Sequence, residues 1–212
     1  MIEVKNALQC LFEEGRVFVS EADFQFAYAW KIKELYPDAS IRLEYIPWLY
    51  DKNMHIDIAV FINERMVPIE LKYKTKGFTG NIDGDSITLK NQGAQDIGRY
   101  DFLYDVQRME GISKSGLYPI EKAYAVLLTN DSGYWVKSNK SGTNKRPVDD
   151  EFRIHEGIII TGQRAWKPEA GAGTMRNREV PINIQGEYRI AWNDYRPADK
   201  CEFRYTIVEI SA

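Results

Sequence analysis

Apolar residues recur at the spacing of an amphipathic helix in three segments of the chain. The segments are residues 2–14, 20–36 and 91–110. The second is the most sharply bounded, because SEAD forms a capping box that begins at Ser20 and because Pro37 cannot continue a helix. In the third segment Gly111 follows the last periodic positions, so we expect the helix to end there.

Alternating or short apolar runs predict strands elsewhere. IRLEYIP at 41–47 is typical of a strand. Residues 55–62 and 67–73 flank a polar NER and predict a β-hairpin, while KAYAVLLTN at 122–130 is apolar enough for an interior strand. KGFTGNIDGDSITLK at 76–90 is rich in glycine and aspartate, and we expect a mobile loop there.

The remainder of the chain is predicted to be rich in strands. IHEGIIITG, VPINIQGEYRIAW and CEFRYTIVEI are the candidates, separated by polar loops at 131–150 and 163–179. The order of helix, three strands, helix and further strands indicates an α/β fold, with a mixed central sheet flanked by helices. The 212 residues suffice for one core, so we expect a single domain over 1–212.

Composition and charge narrow the classes of function. The net charge is -3, and the isoelectric point is about 5.6, so nucleic-acid binding would have to depend on local basic patches. Two histidines disfavour a His-rich zinc site and a Ser-His-Asp hydrolase. Cys10 and Cys201 lack metal-ligand spacing, and no signal peptide or membrane-spanning run is evident. We therefore expect a cytoplasmic protein with unpaired thiols and no membrane partner, although a disulfide stays open.

The predicted hairpin places charged side chains in an unusual position. Side chains alternate across a strand, so Glu70 and Lys72 share one face of VPIELKY, and the apolar residues share the other. Asp57 alternates in the same way with the isoleucines of HIDIAVFI. If both apolar rows enter the core, Asp57, Glu70 and Lys72 lie on one sheet face. Two carboxylates can neutralise Mg²⁺ and leave water positions free, and a lysine beside them can orient water or offset phosphate charge.

A simpler interpretation is that Glu70, Lys72 and Lys74 form the wet face of an edge strand. Asp57 fits this interpretation less well, because a carboxylate buried among apolar residues costs several kcal/mol unless it is paired or bound to metal. His55 would lie on the same face, and we expect it to be a hairpin-edge residue rather than a ligand.

Asp57, followed across a hairpin by Glu70-Leu71-Lys72, resembles the motif of the PD-(D/E)xK nuclease superfamily, which has a restriction-endonuclease-like fold. The resemblance covers residues 20–130 and leaves 131–212 as a β-rich extension. It implies an αβββαβ core, with Asp57 and Glu70 as metal ligands, the Leu71 backbone carbonyl completing the shell, and Lys72 as the catalytic lysine. The residue before the aspartate is Ile56, where the family motif has proline.

The resemblance also implies two further site residues. A glutamate on the first core helix would be Glu21 or Glu34, with Glu21 the better match because it begins the capped helix. The alternative role of Glu21 is to stabilise the helix, because a negative charge near the N-terminus interacts favourably with the helix dipole. The family also has a polar residue on the following helix, and Gln95 is the match, with Gln92 as a second candidate. The alternative is that Gln95 is an ordinary exposed glutamine of a helix.

The function implied is a Mg²⁺-dependent nuclease, with Mn²⁺ as a substitute, that acts on nucleic acid, with DNA as the expected substrate, and leaves a 5′ phosphate. Two alternatives stay open: an inactive nucleic-acid-binding or assembly module on the same fold, and a hydrolase of small phosphate esters. The oligomeric state is also open, a homodimer included.

Basic stretches are candidates for phosphate contacts. KSNKSGTNKR at 137–146 and RAWKPEAGAGTMRNR at 164–178 are rich in lysine and arginine, and Lys74 and Lys76 lead into the glycine-bearing segment. Such lysines are also common on solvated surfaces. Trp166 could stack on a base, although we expect it to pack under its own loop.

Overall fold

The computed structural model describes residues 3–48, 54–137, 147–196 and 201–211. The helices are α1 (Val4–Glu13), α2 (Glu21–Leu35), α3 (Gln95–Lys114) and α4 (Ala172–Met175), with a 3₁₀ turn at Asp150–Phe152. The strands are β1 (Ser40–Tyr45), β2 (Ile56–Ile62), β3 (Arg65–Lys74), β4 (Phe78–Ile82), β5 (Asp85–Leu89), β6 (Lys122–Thr129), β7 (Ile159–Arg164), β8 (Ile182–Arg189), β9 (Trp192–Arg196) and β10 (Phe203–Ser211). Within these ranges no helix is long and apolar enough to cross a membrane.

Six strands form one mixed sheet in the order β1-β2-β3-β6-β10-β9. The β3 and β6 strands run parallel, and the other neighbouring pairs run antiparallel. A parallel pair needs a crossover connection, and α3 lies in it. Two small sheets, β4–β5 and β7–β8, stand beside the main one. The mixed α/β class is confirmed, and the strands expected after residue 130 are present.

The two faces of the central sheet are covered by different elements. On one face, α1 and α2 pack against Ile58, Val60, Ile69 and Leu71. On the other, α3 and the β7–β8 sheet pack against smaller residues such as Ala125. The continuous apolar run of β6 follows from this arrangement, because both of its faces are buried.

The β2–β3 hairpin is confirmed, with a tighter turn than the sequence indicates. Asn63 and Glu64 adopt left-handed conformations, with φ of 47° and 62°, which is typical of a two-residue hairpin turn. Arg65 therefore pairs with Ile62, and β3 begins two residues before position 67. From Ile58 onward both apolar rows of the hairpin lie in the same core, as expected, whereas Ile56 lies in the core on the other face of the sheet.

The predicted mobile loop at 76–90 is wrong. The segment forms a second hairpin, β4–β5, in which Ile82 pairs with Asp85. Its turn is Asp83-Gly84, with φ of 53° and 96°, and Asp-Gly is a strong two-residue hairpin signal. The glycine-rich composition concealed this turn.

The structure tests the predicted start of α2 and the predicted end of α3. The cap at Ser20 is confirmed, because its hydroxyl accepts a hydrogen bond from the Asp23 N–H at 3.1 Å. The expected end at Gly111 is wrong, since α3 continues to Lys114. Gly116, with φ of 69°, is the glycine that follows the actual end of the helix.

Gly98 marks a close approach of α3 to its neighbours. A Cβ added there would lie 2.2 Å from the Tyr134 hydroxyl oxygen, and Tyr134 is only 1% exposed. We expect Gly98→Ala to lower the free energy of unfolding by about 1–3 kcal/mol, because overpacking outweighs the roughly 1 kcal/mol advantage of alanine in a helix. Urea unfolding followed by circular dichroism measures the change.

Tyr134→Phe provides the matched control, because it removes the clashing oxygen. That oxygen has no hydrogen-bond partner among the described residues, so Tyr134→Phe alone should be close to neutral. The double variant should recover most of the stability that Gly98→Ala loses. Additive losses in the double variant would contradict the steric explanation.

Candidate metal and phosphodiester site

The site begins where β2 and β3 separate. Their ladder runs from the turn to the Ile58–Ile69 pair and stops there. Beyond this pair, no described residue forms a strand against β3 on that side. Asp57 Oδ2 accepts a hydrogen bond from the Leu71 N–H at 2.6 Å. Because the N–H and C=O of one strand residue point to the same side, the Leu71 carbonyl also faces this opening.

Glu21 closes the next position of the same edge. Its Oε2 accepts a hydrogen bond from the Tyr73 N–H at 2.7 Å. Charged acceptors strengthen such bonds, so Glu21 ties the first turn of α2 to β3. Glu34, the alternative glutamate, lies at the other end of α2 and pairs with Lys31. The structure therefore brings Glu21, and not Glu34, close to the opening.

The α3 helix supplies the opposite side of the site. Lys72 Nζ lies 2.8 Å from Asp105 Oδ2. Arg108 Nη1 lies 3.1 Å from Asp105 Oδ1, and Arg108 Nη2 lies 3.1 Å from Glu70 Oε1. Arg108 Nη2 also donates a hydrogen bond to the His55 carbonyl oxygen. The result is a chain of ion pairs from Lys72 through Asp105 and Arg108 to Glu70.

A single cleft of about 710 Å³ collects most of these groups. Asp57, Glu70 and Lys72 lie on the sheet side, and side chains of α3 and β8 form the facing walls. The cleft is lined by Met54, His55, Asp57, Glu70, Lys72, Tyr104, Gln107, Arg108, Gly111, Asn183 and Gln185. The interpretation as a wet strand face fails for Glu70 and Lys72, since Glu70 is only 2% exposed and the Lys72 side chain only 19%.

The site buries more negative than positive charge. Burial raises the pKa of Asp57 to about 6, and the Leu71 N–H and the Lys72 charge only partly offset this rise. Burial, followed by the charges of Asp105 and Asp57, raises the pKa of Glu70 well above its ordinary value. Burial alone would lower the pKa of Lys72, but Asp105 and the neighbouring acids raise it. Three carboxylates thus share two cations.

The donor set fits a hard divalent cation. Asp57 and Glu70 offer carboxylate oxygens, and Glu70 Oε1 accepts no hydrogen bond from any described residue, although Arg108 is near it. Such oxygens are the ligands that Mg²⁺ and Mn²⁺ prefer. No cluster of three or more His, Cys, Asp and Glu side chains arranged for metal occurs in the described ranges. The predicted metal shell differs from such a cluster, because it combines two carboxylate side chains with the backbone carbonyl of Leu71.

The structure does not bring Gln95 into the cleft, so its expected place in the site is wrong. Its Nε2 donates a hydrogen bond to Asp131 Oδ2 at 2.7 Å, at the start of α3. Asp105 is ten residues further along the helix, which corresponds to about 15 Å at 1.5 Å per residue. Gln92 is likewise engaged elsewhere, since its Oε1 accepts a hydrogen bond from the Thr75 N–H at 2.9 Å.

Of the two basic stretches, one lies largely outside the described residues, and the other has an arginine that is paired with an acid within the fold. Residues 138–146 fall in the undescribed part, so the first stretch is not located. In the second, Arg178 pairs with Asp101 at 2.6 Å. Trp166 stacks on Tyr100, with ring centroids 5.8 Å apart, and its Nε1 donates a hydrogen bond to the Arg178 carbonyl. Trp166 therefore packs beneath its own loop rather than facing the cleft.

Asp105 and Arg108 are the site residues that sequence reasoning missed. They lie three positions apart on the side of α3 whose neighbours, such as Phe102 and Val106, are buried. Charged residues within the apolar stripe of a helix are a signal for a buried polar site. His55, expected at the hairpin edge, lines the cleft through its position just before β2.

The raised pKa of Asp57 predicts a pH dependence of stability. Its folded-state pKa, about 6, exceeds its ordinary value of 3.8, so the stability that its proton contributes is lost as the pH rises through about 6. In metal-free buffer with EDTA, Asp57→Asn should gain stability relative to the unsubstituted protein between about pH 4 and 7, by up to about 3 kcal/mol. Urea unfolding at several pH values measures this difference. A difference that is flat or shrinks with pH would contradict it.

Comparison with known proteins does not assign the chain to a family. No protein-family model matches the chain, and no curated protein or solved structure is significantly similar to it. Any function assigned to the chain therefore depends on the chemistry of the cleft.

Proposed function

We propose that this protein is a metal-dependent nuclease that hydrolyses phosphodiester bonds in nucleic acid, with DNA as its substrate. The observation that carries the proposal is the convergence of Asp57, Glu70 and Lys72 in one cleft, at the point where β2 leaves β3. The order of elements supports it, since α2, the β1–β2–β3 meander, α3 and β6 follow the αβββαβ plan that the sequence resemblance implies, with the β4–β5 hairpin inserted between β3 and α3.

Each residue has a distinct role in this proposal. Asp57, Glu70 and the Leu71 carbonyl would hold Mg²⁺ or Mn²⁺. A bound ion would supply an acidified water and charge stabilisation on the scissile phosphate. Lys72 orients the attacking water or offsets phosphate charge, and the Asp105 carboxylate, 2.8 Å from its ammonium, attracts it electrostatically. Glu21 supports the site by holding the β3 edge through Tyr73.

The charge balance of the cleft supports a cation cofactor. A carboxylate without full compensation in a buried position costs several kcal/mol, which is reflected in the raised pKa values of Asp57 and Glu70. A divalent cation supplies the missing positive charge. Strongly perturbed groups that gather in a cleft are characteristic of functional sites.

The walls of the cleft suit a nucleic-acid backbone. Gln107, Asn183 and Gln185 line the cleft beside the acids. The side-chain oxygens of Gln107 and Gln185 already accept hydrogen bonds within the fold, so the amide NH₂ groups are the donors that would contact phosphate and sugar oxygens. Asn183 and Gln185 alternate with the buried Ile182 and Ile184 on β8. Their exposed side chains therefore form a continuous polar rim along the cleft.

The first test of the function is the loss of cleavage on substitution of site residues. Asp57→Asn and Lys72→Met should each reduce Mg²⁺-dependent cleavage of plasmid and linear DNA by at least about a hundredfold, because each removes charge stabilisation at the reacting phosphate. The amide oxygen that Asp57→Asn introduces can still accept the Leu71 hydrogen bond, so the fold should persist. Gel assays with Mg²⁺, Mn²⁺ and EDTA measure the activity.

Matched controls separate the site from general effects. Lys122→Met removes an ion-paired lysine from β6, and Asp194→Asn removes an ion-paired aspartate from β9. Both should cleave DNA normally. Full activity in Asp57→Asn and Lys72→Met would overturn the proposal. Cleavage of a bis-aryl phosphodiester without cleavage of DNA or RNA would overturn its nucleic-acid part.

A further inference from the structure

Three oxygen atoms lie near the Arg108 guanidinium at the acidic cluster, and only two of them accept hydrogen bonds from it. It donates to the His55 carbonyl and lies 3.1 Å from Asp105 Oδ1. Its approach to Glu70 Oε1 is also 3.1 Å but lacks hydrogen-bond geometry. The link to Glu70 is therefore mainly electrostatic, and a better placed cation can replace it.

The position of Arg108 conflicts with a metal ion on Glu70. A carboxylate shared between a guanidinium and a divalent cation places two positive groups within a few ångströms of each other, where they repel strongly in a poorly solvated site. Arg108 is 20% exposed on its side chain, and it borders the open cleft. It thus has both a reason to leave Glu70 and space to move.

We propose that Arg108 occupies the cation position at Glu70 in the metal-free protein, and that metal binding releases it to grip a phosphate group of the nucleic acid. This inference rests on the proposed function. A guanidinium presents paired N–H donors that match phosphate oxygens, and Arg108 would carry its positive charge into a cleft whose facing wall presents amides. Metal and substrate binding are then coupled through one side chain.

The test uses the full chain with Arg108→Met and Arg108→Lys. Arg108→Met removes the competing charge and keeps an unbranched apolar side chain, so Mn²⁺ should bind about tenfold more tightly in isothermal titration. With Ca²⁺ in place of Mg²⁺, to allow binding without turnover, DNA should bind at least about tenfold more weakly, and the slope of log affinity against log salt should decrease by about 1. Arg108→Lys should bind Mn²⁺ about as the unsubstituted protein does and bind DNA more weakly.

The controls make each failure distinct. Arg65→Met removes an exposed arginine that pairs with Glu121 outside the cleft, and it should change neither affinity. Unchanged or weaker Mn²⁺ binding in Arg108→Met, or unchanged DNA binding in both Arg108 variants, would overturn the role of Arg108 while leaving the nuclease proposal intact. If Arg108→Met does not fold, wild-type DNA affinity in Arg108→Lys is the overturning result. Absence of Mn²⁺ binding and DNA cleavage in the unsubstituted protein would overturn both proposals.

Discussion

Three carboxylates buried beside two cations form the constraint around which this structure is organised. Asp57, Glu70, Lys72 and Arg108 line the cleft, and Asp105 beside it pairs with both of the cationic side chains. Desolvation of such groups is expensive, and apolar residues of similar volume often stabilise a fold better. The proposed cation and phosphate chemistry would account for this cost at the sheet.

The scaffold holds the cluster from both sides of the sheet. Asp57 and Glu21 satisfy the N–H groups that β3 exposes once β2 departs, so these acids also stabilise the strand. The C-terminal part of the chain is hydrogen-bonded to α3, the helix that carries Asp105 and Arg108. Glu110, only 1% exposed, accepts hydrogen bonds from the N–H groups of Gln185 and Gly186 and from the Tyr188 hydroxyl. The β8 wall is thus tied directly to α3.

Local periodicity predicted the parts of the site that lie on strands. Because side chains alternate strictly along β2 and β3, the sequence alone placed Asp57, Glu70 and Lys72 on one face. The same reasoning could not reveal Asp105 and Arg108, because their role depends on how α3 rotates against the sheet, which is a tertiary property. Gln95 was misplaced for a related reason: a position on the correct helix does not specify the distance along its axis. Turn chemistry explains the wrong prediction of a loop at 76–90, since the polar composition around Asp83-Gly84 is typical of a loop as well as of a hairpin, and strand pairing decides between them.

The distribution of positive charge bears on how a phosphate polymer would bind. Arg178 is engaged with Asp101, and Arg164 donates to the Glu151 carbonyl, so these basic residues of the 164–178 stretch are already used within the fold. In a chain of net charge -3, the described lysine and arginine side chains that line the acidic cleft are Lys72 and Arg108, both tied to carboxylates. Attraction of a phosphate backbone to this cleft is weak while the acids are uncompensated. It becomes favourable once a divalent ion neutralises Asp57 and Glu70, so under the proposed function substrate affinity depends on the metal rather than on a basic surface.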